Sequence, residues 1–272
     1  MTDFLRKLLI KLLVMLSIMA ILPFAIFWLP AKPLPQTLFL GDSHFNKTLI
    51  SVNNFALGSE TTLFSFFKLK KIIQQQKVDT VYLAFGYHNL SDFFNEYDER
   101  PIIVERYFPY MPLAEKASFA FMLNYPRMIT SFAREYKKRN NPIPGGFELP
   151  PTNAFDSNKC KERVKYVFQN HSFYSKNLAG LDSIKNLCRQ NQIALFLVNT
   201  PLHPSFRKTI PDNFLEKYKL ITQHYQLINL ENVFLEDEYF LPDGDHLSQK
   251  GVKHFTELMN RIRANGGKFS AQ

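Results

Sequence analysis

The chain has 272 residues, room for one sizeable domain with a hydrophobic core and a short additional segment. Thirty-three lysines and arginines against 24 acidic residues give a net charge of +9 at pH 7. The basic residues are scattered, with local groups at Lys68–Lys71 and Arg134–Arg139, and no nucleic-acid recognition motif accompanies them. Nucleic acid is therefore not an expected partner; a basic surface of this kind suits anionic head groups or an acidic polymer. Cys160 and Cys188 are the only cysteines, and no C-x-x-C spacing exists to hold a metal. A disulfide between them and two buried thiols are both open readings.

From Leu12 to Leu29 the N-terminal segment carries no charged residue. Eighteen residues at 1.5 Å each approach the ~30 Å of a bilayer core, so the segment reads as a transmembrane helix. Arg6, Lys7 and Lys11 precede it, which keeps the N-terminus cytoplasmic and sends the remainder across the membrane. A cleaved signal peptide and a buried helix are the rival readings. Pro30, Pro33 and Pro35 follow as a stiff spacer. The expected organisation is a cytoplasmic tip, anchor and spacer over 1–34 and a single domain over 35–272.

Within that domain, 37–40 reads as a first strand and 52–57 as a short second one. Residues 60–75 carry a helical stripe of Leu63, Phe66, Phe67, Leu69, Ile72 and Ile73. A β-rich run covers 81–85. An amphipathic helix over 172–190 precedes a buried strand at 193–198, a weaker strand at 227–230 and a closing helix over 247–262. Strands alternating with helices predict a parallel sheet covered on both faces, a three-layer α/β/α, flavodoxin-like arrangement. Ligands in such folds gather beyond the carboxyl ends of the strands. Residues 92–171 break the rhythm and read as a helical insertion, with a helix near 117–138, that caps the site or meets a membrane or partner.

Two clusters carry the chemistry. Gly41-Asp42-Ser43-His44 follows the first strand, and Asp243-Gly244-Asp245-His246-Leu247 precedes the last helix. A serine hydroxyl needs a base to take its proton and a third group to orient the base, and a carboxylate and an imidazole three residues apart can supply both.

Together the clusters resemble the SGNH hydrolase superfamily, the GDSL-like esterases and acyltransferases. The resemblance implies Ser43 as nucleophile, His246 as base and Asp243 as its orienting carboxylate. It also implies an oxyanion hole from the Ser43 amide, from Gly58 or Ser59 in the second block, and from the side chain of the third block. There the family's Gly-x-Asn-Asp is Gly86-Tyr87-His88-Asn89 in this chain, which leaves His88 and Asn89 as the two candidates. Asp42, His44, His203 and Asp245 are candidate substrate contacts. No cofactor and no metal are expected; a site built from His44, His88 and His246 is conceivable, but His246 already has a simpler role.

What the resemblance implies is a single-pass protein of a bacterial inner membrane with its catalytic domain on the periplasmic side. It would hydrolyse or transfer acyl groups, acetyl above all, on an envelope polysaccharide or similar glycan, beside a membrane acyl-donor protein. The alternative is a catalytically inactive SGNH-like component that assembles or binds polysaccharide.

Overall fold

In a computed structural model of the chain, residues 2–28, 36–51, 53–94, 155–169 and 172–267 are described, with side chains excepted at 2–3 and 18–28. Two compact units divide the chain: Met1–Pro33 with Glu105–Pro142, and Leu34–Val104 with Ile143–Gln272. The first is described through one helix, α1, Thr2–Trp28, of 27 residues. Phe4, Leu8, Leu9, Leu12 and Leu16 along it are all exposed. Among the described residues no helix is long and apolar enough to cross a membrane. Most of the run expected as an anchor, 18–29, lies outside the described side chains, as does the helix expected at 117–138.

In the second unit, four parallel strands form one sheet in the order β1 (Thr37–Leu40), β2 (Thr80–Ala84), β3 (Ala194–Asn199), β4 (Gln226–Asn229). Leu38 stands beside Val81 and Val81 beside Leu195, while Phe39 stands beside Tyr82 and Tyr82 beside Phe196. Because successive side chains leave a strand on opposite faces, each strand feeds two cores.

On one face Leu38, Leu40, Val81, Leu83 and Leu197 meet helices α3 (Thr62–Ile73), α4 (Ser157–Phe168), α5 (Ser175–Gln190) and α7 (Asp212–Thr222). On the other, Phe39, Tyr82, Val198 and Ile228 meet α8 (Gln249–Ala264) through Val252, Phe255 and Met259, with Phe45 of the four-residue helix α2 (Ser43–Asn46). Another four-residue helix, α6 (Pro204–Arg207), completes the described set in this unit. The α/β class and the parallel sheet are as the sequence pattern predicts.

Among the described residues no strand forms over 53–57. The segment lies along the outer edge of β1 through one parallel bridge, Phe39 to Asn54, and a further bond from the Leu57 N–H to Gly41 O at 3.0 Å. The Asn54 side chain donates to Phe45 O at 2.7 Å and Leu49 O at 2.8 Å, and accepts from Ala56 N at 3.0 Å. Asparagine competing for the backbone in this way favours a loop over a ladder. The loop then delivers Gly58 and Ser59 to the carboxyl end of the sheet.

Residues 92–171 are also not all peripheral. α4, near the end of that segment, buries Val164, Val167 and Phe168 in the first core. Cys160 and Cys188 are both free and buried, so of the two open readings the thiols hold. Burial pushes the Cys188 thiol up to about 12; burial, with Asp243 and Asp245 nearby, pushes Cys160 up to about 11.

Candidate active site

The serine is presented by a turn that only glycine can open. Gly41, directly after β1, has φ +126°, and a Cβ there would come within 2.8 Å of Ala84 Cβ on β2. Asp42 caps α2, its Oδ1 accepting from the His44 amide at 2.9 Å. Ser43 is the first residue of that helix, and its Oγ lies 2.9 Å from His246 Nε2.

The imidazole arrives from a turn before α8. This turn is held by an antiparallel bridge between Phe240 and Leu247 and by the Leu241 N–H donating to His246 O at 2.8 Å. Asp243 Oδ1 accepts the amides of Asp245 at 3.1 Å and His246 at 3.0 Å, so the carboxylate is fixed by its own loop. Its Oδ2 lies 2.7 Å from His246 Nδ1. A carboxylate only accepts, so Nδ1 carries the proton and Nε2 is left to accept from Ser43. Burial pushes the Asp243 carboxyl up, but the His246 ring outweighs it and holds it below the usual range.

Behind this line lies a buried layer. His44 Nδ1 sits 3.0 Å from Asp42 Oδ1, and its Nε2 sits 2.9 Å from Asp245 Oδ1. Arg163 of α4 donates to Asp245 Oδ2 at 2.7 Å. Asp42 Oδ2 receives His88 Nε2 at 2.6 Å and Asn89 Nδ2 at 3.0 Å. Burial alone would raise both carboxyls, yet His88 and His44 hold Asp42 well below its ordinary value, and Arg163 and His44 do the same for Asp245.

These contacts decide where the remaining expected residues stand. Asp245, read from sequence as a turn residue or substrate contact, is buried and committed to His44 and Arg163. Asn89 spends its amide on Asp42 and its carbonyl on the Gly86 N–H at 2.7 Å. It does not line the cleft, whereas His88 does, with Nε2 turned to Asp42. His203 is outside the cleft lining, held 3.0 Å from Asp237 and stacked on Phe155 at 3.5 Å.

Ser59 has φ +63°, the left-handed region that favours glycine, while Gly58 beside it has no positive φ. Neither the Ser43 nor the Ser59 amide N–H meets an acceptor among the described residues. Both residues, with Asp42, His44, Gly58, His88 and His246, border a cleft of about 170 Å³. Lys47, Phe93, Phe94 and Arg163 complete its wall. Sequence reasoning missed these four. Arg163 in particular sits in a segment set aside as an insertion, and no local pattern marks it.

Asp42, His44 and His88 converge closely enough to hold a cation, as do His44, Asp245 and His246. Both ring nitrogens of His44 already face carboxylate oxygens and so carry protons, which leaves no lone pair for a metal. His246 is similarly committed to Asp243 and Ser43.

No protein-family model matches the chain. No curated protein matches it either. Among solved structures, one similar chain is a Bacteroides fragilis protein provisionally assigned as an acylhydrolase, 11% identical, with a TM-score of 0.42 over 85% of this chain and 88% of that one. Another is a Streptococcus pneumonia protein provisionally assigned as a platelet activating factor, 12% identical, with a TM-score of 0.41 over 97% of this chain and 99% of that one. At this distance neither likeness bears on the activity.

Proposed function

We propose that the protein is a serine esterase or O-acyltransferase in which Ser43 attacks an acyl carbonyl. One observation carries this reading: the unbroken line from Ser43 Oγ to His246 Nε2 at 2.9 Å and from His246 Nδ1 to Asp243 Oδ2 at 2.7 Å. His246 takes the Ser43 proton as the oxygen bonds to the carbonyl carbon, and Asp243 favours the imidazolium that results. The carbonyl oxygen, now negative, is received by the Ser43 and Ser59 amides at the cleft. His246 returns the proton to the departing alkoxide, leaving Ser43 acylated. Water, or a sugar hydroxyl in a transferase, then attacks the acyl group by the reverse proton path.

A small cleft suits a short acyl group such as acetyl, on a glycan or other small acceptor. The exposed leucines of α1 support a membrane-associated setting, because a run of apolar side chains is poorly matched to water. The turning of Asn89 toward Asp42 favours the second reading, a binding or assembly component without turnover, since it removes one side-chain donor.

A fluorophosphonate probe on the purified full chain separates the two. The expected result is covalent labelling of wild type at Ser43 and none of Ser43→Ala. A folded wild-type protein that resists labelling would end the hydrolase reading.

A further inference from the structure

The loop that carries Ser59 closes on itself in a tight turn. The Glu60 N–H donates to Leu57 O at 3.1 Å, with Gly58 and Ser59 between them. Ser59, the third residue of the four, has φ +63°, while Gly58 has no positive φ. That is the pattern of a type II turn, whose third position normally falls to glycine. A type I turn joins the same end residues, but ψ of the second residue and φ of the third each differ from type II by about 150–170°. Together those rotations flip the peptide between Gly58 and Ser59, exchanging the directions of the Gly58 carbonyl and the Ser59 N–H. The flip also takes the serine out of the left-handed region, so the isolated turn favours type I.

One side chain spans this turn. Lys68 of α3 donates to Phe55 O at 2.6 Å before the turn and to the Glu60 carboxylate after it. Ser65 Oγ donates to the other Glu60 oxygen. The Lys68 and Glu60 side chains are 3% and 0% exposed. At the other end, the Leu57 N–H donates to Gly41 O at 3.0 Å, on the turn that presents Ser43. Groups outside the turn therefore fix both of its ends. A buried ion pair adds little net stability, because taking both charges out of water offsets their attraction. Its geometric demand is strong, since an ammonium bonded at two points sets the distance between them.

The geometry points to Lys68 and Glu60 as positioning residues: their buried ion pair clamps the Leu57–Glu60 turn in the form that presents the Ser59 N–H to the oxyanion. The role rests on the Ser43–His246 reading above, which uses that N–H. With the clamp removed, the turn relaxes to type I. The Ser59 N–H then leaves its direction to the Gly58 carbonyl, and the oxyanion meets an acceptor where it needs a donor.

Two measurements on the full chain test this, with Glu60→Leu/Lys68→Met as the variant. An apolar pair of similar volume replaces a buried ion pair without leaving a lone charge. In wild type, proton NMR should place the Ser59 amide proton against Gly58 Hα, the close approach of a type II turn. In the variant it should lie against the Gly58 amide proton instead, and fluorophosphonate labelling should fall by about 10²-fold. Adding Ser59→Gly to the variant should recover about tenfold or more of that loss, because glycine holds a left-handed φ without the clamp. A pair that merely stabilised the fold would not be rescued in this way. A folded variant with the wild-type contact and labelling rate would overturn the proposal, as would a wild type with the two amide protons in contact. Should the variant not fold, Glu60→Gln, which keeps the side-chain shape but weakens one end of the clamp, is read in the same way, with a smaller fall in labelling expected and no fall overturning. If wild type is never labelled, the serine reading fails, and the proton contacts alone then uphold or overturn the clamp.

Discussion

The Asn89 amide donates to Asp42 Oδ2 at 3.0 Å rather than reaching toward Ser43. A side chain that the family resemblance offers to an oxyanion is thus spent on the carboxylate that caps the helix of Ser43. Asp42 ends with four donors: the His44 amide, His44 Nδ1, His88 Nε2 and Asn89 Nδ2. The third block therefore supports the turn that holds the serine.

Asn89→Ala should in consequence act on stability more than on chemistry. It orphans the buried Gly86 N–H and removes one donor from Asp42, a cost of about 2–4 kcal/mol. The labelling rate of the folded fraction should fall by less than the ~10²–10³-fold expected for an oxyanion donor. Thermal melts and probe kinetics on the same sample check both parts.

Ser59 and Gly58 should respond in opposite senses to their apparent chemistry. Ser59→Gly relieves a left-handed residue and should stabilise by up to about 1 kcal/mol with labelling retained. Ser59→Ala keeps the amide and should retain labelling at about the wild-type rate, at a cost of no more than about 1 kcal/mol. Gly58→Ala should change stability by no more than about 1 kcal/mol, since an added Cβ meets only Asn46 Oδ1, at 4.0 Å.

The buried layer makes stability depend on pH at both ends. His44 is raised from 6.5 to about 10, so its contribution is complete below pH 6.5 and drains away as pH rises toward 10, at about 1.4 kcal/mol per unit. Asp42 and Asp245 are depressed, so theirs is present above 3.8 and is lost as pH falls further. Urea midpoints measured across pH should trace a dome, and His44→Gln should flatten its alkaline side.

The thiols should be silent in the native protein. Cys160 and Cys188 are buried, with their thiols raised to about 11 and 12. A thiol reagent at neutral pH should detect neither until denaturant is added, and then both, without prior reduction. Detection of none in denaturant would mean a bridge has formed.

Much of this was legible in the linear pattern. Thr37–Leu40 and Ala194–Asn199 are strands because short apolar runs stand between turn residues, and Ser175–Gln190 is a helix because its apolar positions recur every three or four residues. Ser43, Asp243 and His246 were marked by spacing within two motifs. The second strand was misread because Val52–Leu57 has strand composition, while the Asn54 side chain bonds the carbonyls of Phe45 in α2 and Leu49 after it, and only one bridge to β1 is completed.

The periodicity of the helices and of the apolar strands and the three-residue offset from Asp243 to His246 are local matters, governed by backbone sterics and side-chain period, and the sequence determined them alone. The charge of His44, the diversion of Asn89 and the part played by Arg163 depend on partners 201, 47 and 82 positions away. Only the folded chain could decide these, because ionisation and hydrogen-bond choice in a dry interior follow from which donors and acceptors packing brings within about 3 Å.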